Sequence, residues 1–437
     1  MKPWISIDNN RALQFFNLSR FFANFLSGWV LVKAGLSIEE ISIYEALLFL
    51  GNLFTFYWHS GGQNALVSYF PKLPKVQGNK LLFNVFILFC GLSFISAGAL
   101  WLSKGFISLH FRQFESLPYM LWLCLYIALN IPAYLLHIIF LLHNEPRRIV
   151  IYASWSFFLQ FLVVILPVLL GWSLEYVFMG LAALAFIRFL YALYLLQSRS
   201  TIALDFSLMK AWVIMMIPLS LHILVGNGME YIDGWLVNNF FSDAGTFAIF
   251  RYGARELPLV GMVVGALTIS SIPLVAADQK AGIASLKKET LRLAKWLYPI
   301  SILLLFFSPI LFPLFYDENF LASAWIFNIY LLILAFRLLL PQVILIGTGE
   351  RYFLVISAIF ETILNITLSL WWVKPFGLWG IAGATVVANA FDKLSLMTYC
   401  WFKLGIKPQS YIPWRPLLAL NLALGLSFYL SYLFFYG

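Results

Sequence analysis

The feature that most constrains this chain is a series of apolar runs, each long enough to form a membrane-spanning helix. About 20 helical residues cross the hydrocarbon core of a bilayer. Only 11% of the 437 residues are charged and 62% are apolar, whereas a soluble domain carries about 25% charged residues. The sequence therefore predicts an all-α polytopic membrane protein. The predicted spans are 12–34, 40–70, 81–103, 117–142, 149–171, 174–196, 209–240, 244–277, 287–316, 321–346, 351–373, 378–402 and 413–435.

Basic residues are distributed unevenly between alternate loops. If the N-terminus is cytoplasmic, every inside loop contains Lys or Arg, whereas the outside turns GWSLE, FFSDAG and YDENF contain none. Because cytoplasmic loops are rich in Lys and Arg, this pattern predicts a cytoplasmic N-terminus. Basic loops facing an anionic leaflet also account for the net charge of +9, so nucleic acid is not an expected partner. The short loops leave no room for an extramembrane domain.

The sequence offers no pattern for a metal or a disulfide framework. Its three cysteines, Cys90, Cys124 and Cys400, lie in apolar runs without CxxC spacing, and its five histidines have no ligand spacing. Cysteines of this kind behave as small buried hydrophobic residues. We therefore expect no metal and no cofactor.

Short segments of the first half recur in the second half in the same order. SGWVL at 27–31 is similar to DGWLV at 233–237, and HNEPRRIVIYAS at 143–154 is similar to GTGERYFLVISA at 347–358. This predicts a parallel repeat of a six-helix unit, related by an axis along the membrane normal. The expected domains are an N-terminal six-helix lobe at 1–205, a C-terminal six-helix lobe at 206–405 and an additional transmembrane helix at 406–437.

The stretch GNGMEYIDGWLVNNFFSDAGTFAIFRYGARELPLVG, at 226–261, places ionisable groups inside two predicted spans. Asp233, Arg251 and Arg255 lie at similar depths, about 10 to 16 Å below the outside turn. A charge at mid-bilayer costs about 2.5–3.5 kcal/mol on insertion scales, so these groups are expected to face one another or a wet cavity. Glu230, Asp233 and Glu256 are the candidate coupling or ion-pair residues. A closed ion-pair network that only locks the helices together is the alternative.

Arginine is in excess over local acidic partners in the predicted spans. Arg20 and Arg337 have no acidic residue nearby in the sequence, whereas Lys393 has Asp392 beside it or snorkels inward. Arg188 is close enough to the cytoplasmic end to snorkel. A guanidinium group is permanently charged and can donate hydrogen bonds to two phosphate oxygens at once. The predicted residues for binding an anionic cargo, lining one cavity, are Arg20, Arg251, Arg255 and Arg337.

Span two contains YWHSGGQNALVSYFP, in which Gly61 and Gly62 adjoin polar residues. Glycine and serine pairs are a recognised cause of helix kinks, so Gly61 and Gly62 are a candidate hinge. Close packing of one helix on another at glycine is the alternative.

The chain resembles the polysaccharide-transporter, or O-antigen flippase, branch of the multidrug/oligosaccharidyl-lipid/polysaccharide (MOP) exporter superfamily. Residues 10–51 and 216–253 carry the resemblance, and SSIPLVA (270–276), FYDENFLASAWIFNIY (315–330) and FGLWGIAGATVVANA (376–390) add to it. Asp233 matches an acidic residue usual in the first helix of the second lobe. Two departures, Phe247 in place of the usual Tyr and Ser42 in place of Gly, leave the branch and the substrate open.

This resemblance implies two six-helix lobes around a central V-shaped cavity, in a bacterial cytoplasmic membrane. It implies a flippase that moves an undecaprenyl-diphosphate-linked oligosaccharide, a repeat unit of O-antigen, capsule or exopolysaccharide, to the outer leaflet by alternating access. A proton gradient, a Na⁺ gradient or the membrane potential is the expected driving force, and polysaccharide polymerase machinery an expected partner. The alternatives are a multidrug or cation antiporter, a peptidoglycan-precursor flippase and, as an enzyme, a membrane glycosyltransferase, ligase or polymerase.

Overall fold

The computed structural model describes residues 8–111, 117–243, 245–254, 258–350 and 352–435, and every regular element in these ranges is a helix. Nine helices in this part of the chain are long and apolar enough to cross a membrane, or ten if one bent pair counts as a single span. The prediction of an all-α polytopic membrane protein is confirmed. The helix of the first predicted span and the helix Leu378–Leu404 have sufficient length but are less apolar.

The described chain divides into two compact units. Unit 1 contains residues up to 224 together with 242–245, and unit 2 contains residues 225–241 and those from 246 onward. The division falls inside one long helix, α10, whereas the boundary predicted from the sequence precedes that helix and stays a prediction.

Unit 1 is built from α1 Asn9–Lys33, α2 Ile38–Leu53, α3 Phe56–Tyr69, α4 Lys75–Leu102, α5 Lys104–His110, α6 Met120–Ala133, α7 Leu135–Leu142, α8 Pro146–Leu169, α9 Leu174–Arg199 and the first half of α10 Phe206–Phe240. Unit 2 adds to the second half of α10 the helices α11 Thr246–Gly253, α12 Pro258–Ala277, α13 Gln279–Phe315, α14 Leu321–Leu331, α15 Leu334–Arg337, α16 Pro341–Gly347, α17 Tyr352–Phe376, α18 Leu378–Leu404, α19 Pro408–Tyr411 and α20 Trp414–Phe435.

Broken and straight helices follow the same order in both units. In unit 1, α2 and α3 form one span bent by 48°, and α6 and α7 are interrupted at Tyr134. In unit 2, α11 ends at Gly253 and α12 begins at Pro258, and α14 to α16 are interrupted twice. The next pair in each unit, α8 with α9 and α17 with α18, consists of long helices packed on each other. This common order is what duplication of a six-helix unit would produce.

Two prolines inside helices, Pro132 and Pro309, each leave a backbone carbonyl without its helical N–H partner, and side chains of neighbouring helices donate to both carbonyls. Pro132 cannot donate to the carbonyl of Ala128, which instead accepts a hydrogen bond from Ser93 on α4 at 3.1 Å. Because lipid offers no water, an unsatisfied carbonyl inside a membrane is costly. These side-chain donors therefore allow proline to remain inside a spanning helix.

The same arrangement joins α20 to α13. Pro309 leaves the carbonyl of Leu305 unpaired within α13, and this oxygen accepts hydrogen bonds from Ser431 at 2.9 Å and Asn328 at 3.1 Å. Tyr298 on α13 also donates to Asn421 on α20. The additional C-terminal helix expected from the sequence is thus present, and it packs against α13 within unit 2.

Candidate functional site

The buried face of α17 is polar, although α17 is one of the apolar spans. Its buried residues recur every fourth position, so they share one face of the helix. Serine, glutamate and asparagine at these positions form what we call the polar ladder. The buried residues of α17 are Ser357, Glu361, Asn365, Ser369 and Val373.

Polar side chains of α18 meet the polar ladder. Ser357 donates to the Asp392 carboxylate at 2.6 Å, and Lys393 contacts the other oxygen of that carboxylate at 2.8 Å. One turn further along, Asn389 donates to Glu361 over a long 3.4 Å. The ladder is therefore a hydrogen-bonded contact between two helices, and its first part contains two carboxylates and one ammonium group.

The ladder continues to Asp233 on α10. Asn365 donates to the Thr385 hydroxyl at 3.0 Å, and Thr385 donates to one Asp233 oxygen at 2.6 Å. Tyr330 donates to the same oxygen at 3.1 Å. Asp233 is 1% exposed, and both donors to this one oxygen are hydroxyl groups.

Glu230 and Asp233, expected to act together, lie in different surroundings. Glu230 accepts a hydrogen bond from Arg251 at 2.6 Å, and its side chain is 59% exposed. Asp233 is buried among the hydroxyls of Tyr330 and Thr385. Three residues along a helix place two side chains only about 60° apart around its axis, so here the boundary between the exposed and the buried side of α10 runs between these two neighbours. The ion pair expected between these two spans therefore forms between Glu230 and Arg251.

The other predicted charged residues of unit 2 have separate positions. Arg337 ends α15 and lines a cavity of about 20 Å³ together with Ser301 and Tyr330, a volume that holds about one water molecule. Arg255 and Glu256 lie outside the described residues.

Arg188 does not snorkel, contrary to one of the sequence expectations. It is 2% exposed, and its guanidinium donates to Asn130 at 3.0 Å, to the Ser156 carbonyl at 2.8 Å and to Gln160 at 3.1 Å. These acceptors are neutral and lie on α6 and α8. A guanidinium is weakly hydrated and presents five donors, so several neutral acceptors can hold it inside a protein. Arg188 ties three helices of unit 1 together.

Arg20 is an exposed arginine within a predicted span of unit 1. Its side chain is exposed, and it donates to Asn17 on the preceding turn of α1 at 3.3 Å. It is close enough to His59 and His137 to act on both electrostatically. An exposed guanidinium in a helix expected to cross the membrane is accessible to an anionic ligand.

Gly61 and Gly62 lie inside α3, whereas the bend between α2 and α3 lies at residues 54–55. A Cβ atom added to Gly61 would come within 2.7 Å of the Ser220 backbone, and one added to Gly62 within 2.8 Å of Phe89. The two glycines therefore allow close packing of α3 on its neighbours. Their role as a hinge stays a prediction.

The described residues contain no group of three or more His, Cys, Asp or Glu side chains able to hold a metal ion. No family model matches the sequence, and no curated protein matches it either.

Solved structures, in contrast, match nearly the whole chain. The lipid II flippase MurJ in an inward closed conformation is 17% identical with a TM-score of 0.73, and the match covers 97% of this chain and 93% of that one. The chain has the fold of the MOP superfamily transporters.

Two MATE transporters have a similar fold over most of their length. An inward-facing multidrug resistance MATE family transporter of the MOP superfamily is 13% identical with a TM-score of 0.64, covering 94% of this chain and 99% of that one. The MATE transporter VcmN of Vibrio cholerae is 14% identical with a TM-score of 0.56, covering 89% of this chain and 94% of that one. At these identities the comparison establishes the fold, and both flippases and drug transporters share it.

Proposed function

We propose that this protein is a flippase that moves an undecaprenyl-diphosphate-linked oligosaccharide from the inner to the outer leaflet of a bacterial cytoplasmic membrane by alternating access. The saccharide is the repeat unit of O-antigen, capsule or exopolysaccharide, and polymerase machinery receives it on the far side. The MOP fold supports transport, and the accessible arginines support an anionic cargo.

The observation that carries this proposal is the exposure of arginine side chains on membrane helices. Arg20 is exposed, and Arg251, 23% exposed, pairs with a Glu230 side chain that is itself 59% exposed. A diphosphate carries several acceptor oxygens, and one guanidinium can donate to two of them at once. A diphosphate can therefore compete with a partly solvated carboxylate for arginine. Arg337 and Arg255 complete the proposed diphosphate-binding set.

Asp233 is the proposed coupling residue. It is buried, it is held by hydroxyl groups, and it lies on α10, three residues beyond the Glu230 that pairs with Arg251. A carboxyl group at such a position can gain and lose a cation during the transport cycle, so a proton or Na⁺ gradient would drive the cycle. The membrane potential adds about 2.3 kcal/mol per charge per 100 mV, and an outside-positive potential favours outward movement of an anion.

The test uses purified protein in proteoliposomes with a fluorescent undecaprenyl-diphosphate-linked sugar as the probe. We expect Arg20→Ala and Arg251→Ala to abolish its movement between leaflets while the protein remains inserted. Arg292→Ala is the matched control, because this arginine is 76% exposed on α13 beside Glu289. Normal movement of the probe by both Arg20→Ala and Arg251→Ala would show that the arginines do not bind the cargo.

A flippase for lipid II is the second candidate, favoured by the similarity to the lipid II flippase MurJ. A multidrug or cation antiporter is favoured by the buried carboxylates Asp233, Glu361 and Asp392. Competition experiments separate the three. If unlabelled lipid II or a cationic drug competes with the probe better than the polyprenyl-linked oligosaccharide does, the proposed cargo is wrong.

A further inference from the structure

Helix α1 is exposed on two sides that differ in chemistry. At 100° per residue, Asn17, Arg20 and Asn24 lie within about 60° of one another, and all three are exposed. The large exposed apolar side chains of α1 lie within about 40° of one another on roughly the opposite side. These are Phe15, Phe22 and Leu26. The apolar side suits lipid, whereas a guanidinium and two amides require water or a polar ligand.

A chain of hydrogen bonds within unit 1 fixes the orientation of the Asn24 amide. A guanidinium can only donate, so Gln160 on α8 presents its Oε1 to Arg188, which donates to it at 3.1 Å. The Nε2 group of Gln160 then faces α1 and donates to Oδ1 of Asn24 at 2.9 Å. Because the Asn24 oxygen is held by this donor, the Nδ2 group of Asn24 is the part of the amide directed to a ligand.

Arg188 keeps this chain of hydrogen bonds from reversing. It is 2% exposed, and its other acceptors, the Asn130 side chain and the Ser156 carbonyl, are neutral oxygens. An arginine is always charged and has no acceptor atom. If the Gln160 amide turned over, its N–H₂ group would face the guanidinium, and a buried donor would lose its acceptor. A buried permanent charge thus sets the direction of an exposed amide on another helix.

Asn17 has the same polarity as Asn24. Arg20 donates to Oδ1 of Asn17 at 3.3 Å, so the oxygen of this amide is also occupied. Asn17, Arg20 and Asn24 extend over about 10 Å of α1, and together they offer N–H donors. A sugar hydroxyl donates as well as accepts, whereas the oxygens of a diphosphate only accept. A row of donors therefore matches a diphosphate better than it matches the saccharide.

We propose that Asn17 and Asn24 extend Arg20 into a donor-only site for the diphosphate of the lipid-linked cargo. Arg188 and Gln160 are positioning residues, because they act on the diphosphate through the Asn24 amide. This inference rests on the proposed function, and it adds amides to a binding set made of arginines. The headgroup of an anionic phospholipid has the same phosphate chemistry, and the competition experiment below separates these two sources.

The first experiment measures binding of the fluorescent undecaprenyl-diphosphate-linked sugar to the full chain in phosphatidylcholine nanodiscs. Asn17→Ala and Asn24→Ala each remove a hydrogen bond to a charged oxygen, so each should weaken binding about tenfold. Asn10→Ala is the matched control, because Asn10 is also exposed on α1 but lies about 21 Å from Asn24 along the helix. Unchanged affinity of Asn24→Ala would overturn the donor site.

Gln160→Glu tests the positioning role separately from stability. The carboxylate still accepts from Arg188, so the unfolding temperature should not fall, but it cannot donate to Asn24. The Asn24 amide then donates to the carboxylate and turns its oxygen toward the ligand, and binding of the probe should weaken about tenfold. A Gln160 that only stabilises the fold would leave the affinity unchanged, and this result would overturn the positioning role.

A double-mutant cycle excludes a direct effect of the added charge. If Gln160→Glu acts through Asn24, it should change the affinity less than about twofold in the Asn24→Ala background. A charge that repels the diphosphate through space would weaken binding equally in both backgrounds. Equal weakening would therefore overturn the proposed chain from Arg188 to Asn24.

Competition identifies the source of the phosphate. Undecaprenyl diphosphate without sugar should displace the probe, and phosphatidylglycerol should not. If phosphatidylglycerol displaces the probe equally well, the site holds a phospholipid headgroup and the proposed cargo site is wrong. A wild type that binds undecaprenyl diphosphate through Asn24, yet moves no lipid-linked sugar between leaflets, would overturn the flippase proposal and leave the diphosphate site standing.

Discussion

The hydrogen bond from Ser431 to the Leu305 carbonyl should depend on Pro309. This carbonyl lacks its normal helical donor because proline has no N–H, and Ser431 reaches it from α20 at 2.9 Å. Hydrogen bonds between membrane helices contribute about 0.6 kcal/mol on average and up to about 1.7 kcal/mol. Since Asn328 also donates to this oxygen at 3.1 Å, we expect Ser431→Ala to lower the free energy of unfolding by about 0.6–1 kcal/mol.

Pro309→Ala changes that expectation. Alanine at position 309 supplies the missing N–H, so Leu305 regains its own helical hydrogen bond. Ser431→Ala should then cost clearly less in the Pro309→Ala background than in the wild type. The coupling energy of the double-mutant cycle measures the difference, which we expect to be about 0.5 kcal/mol.

The assay is reversible unfolding of the full chain in mixed micelles, with all four members of the cycle measured in parallel. Ser427→Ala is the matched control, because Ser427 is also buried on α20 and lies one turn earlier. If Ser431→Ala lowers the free energy of unfolding equally in both backgrounds, or if Ser427→Ala lowers it as much, α20 does not stabilise α13 at Pro309 in this way.

Three further predictions concern unit 1 and the topology. Arg188→Ala leaves the side-chain oxygens of Asn130 and Gln160 without a donor, at about 1–3 kcal/mol each, and removes one of the donors to the Ser156 carbonyl. Its unfolding temperature should therefore fall far more than that of Arg148→Ala, where the side chain is 52% exposed; similar values would refute the buried network. Gly61→Ala forces a Cβ against the Ser220 backbone and should destabilise by about 1–3 kcal/mol or more, whereas Gly98→Ala meets no atom within 4 Å and should be tolerated; equal stability of the two variants would contradict this packing. Reporter fusions should show alternating sides, and an outside signal at 147 or 285 would break the repeat assignment. Cytoplasmic signals are expected after 75, 147, 205, 285 and 405, and outside signals after 36, 110, 173, 243, 318 and 375.

Helices and their order could be predicted from the sequence, because apolar runs of spanning length and basic loops are local patterns. The polar ladder could not, although its signal is present: Ser357, Glu361, Asn365 and Ser369 recur every four residues inside an apolar run. A spacing of four residues places side chains on one face of a helix, but it does not show whether that face contacts lipid or another helix. The partner residues on α18 decide this.

Arg188 and Asp233 illustrate the same limit. The acceptors of Arg188 are neutral side chains and a carbonyl, contributed by α6 and α8, and the donors to Asp233 come from α14 and α18. A search for opposite charges along the sequence passes over such partners. Glu230 and Arg251 were easier to connect, because adjacent helices joined by a short turn bring residues at equal depth together.

The length of α13 has a consequence for where the protein stands in its membrane. Its 37 residues extend about 55 Å, whereas the hydrocarbon core is about 30 Å thick. Counting back from Phe315, about 30 Å of helix ends near Trp296, a 71% exposed side chain of the type that prefers the membrane–water interface. The remaining first part of α13 therefore lies beyond the hydrocarbon core, where Ile283, Leu286 and Ala294 are buried against other helices of unit 2. Its basic residues are Lys280, Lys287, Lys288, Arg292 and Lys295. Arg292 and Lys295 lie within about 6 Å of Trp296 along the helix, and each attracts an anionic lipid surface with about 1 kcal/mol when close to it. The tryptophan at the interface and the basic residues beside it therefore fix the depth of unit 2 in the membrane.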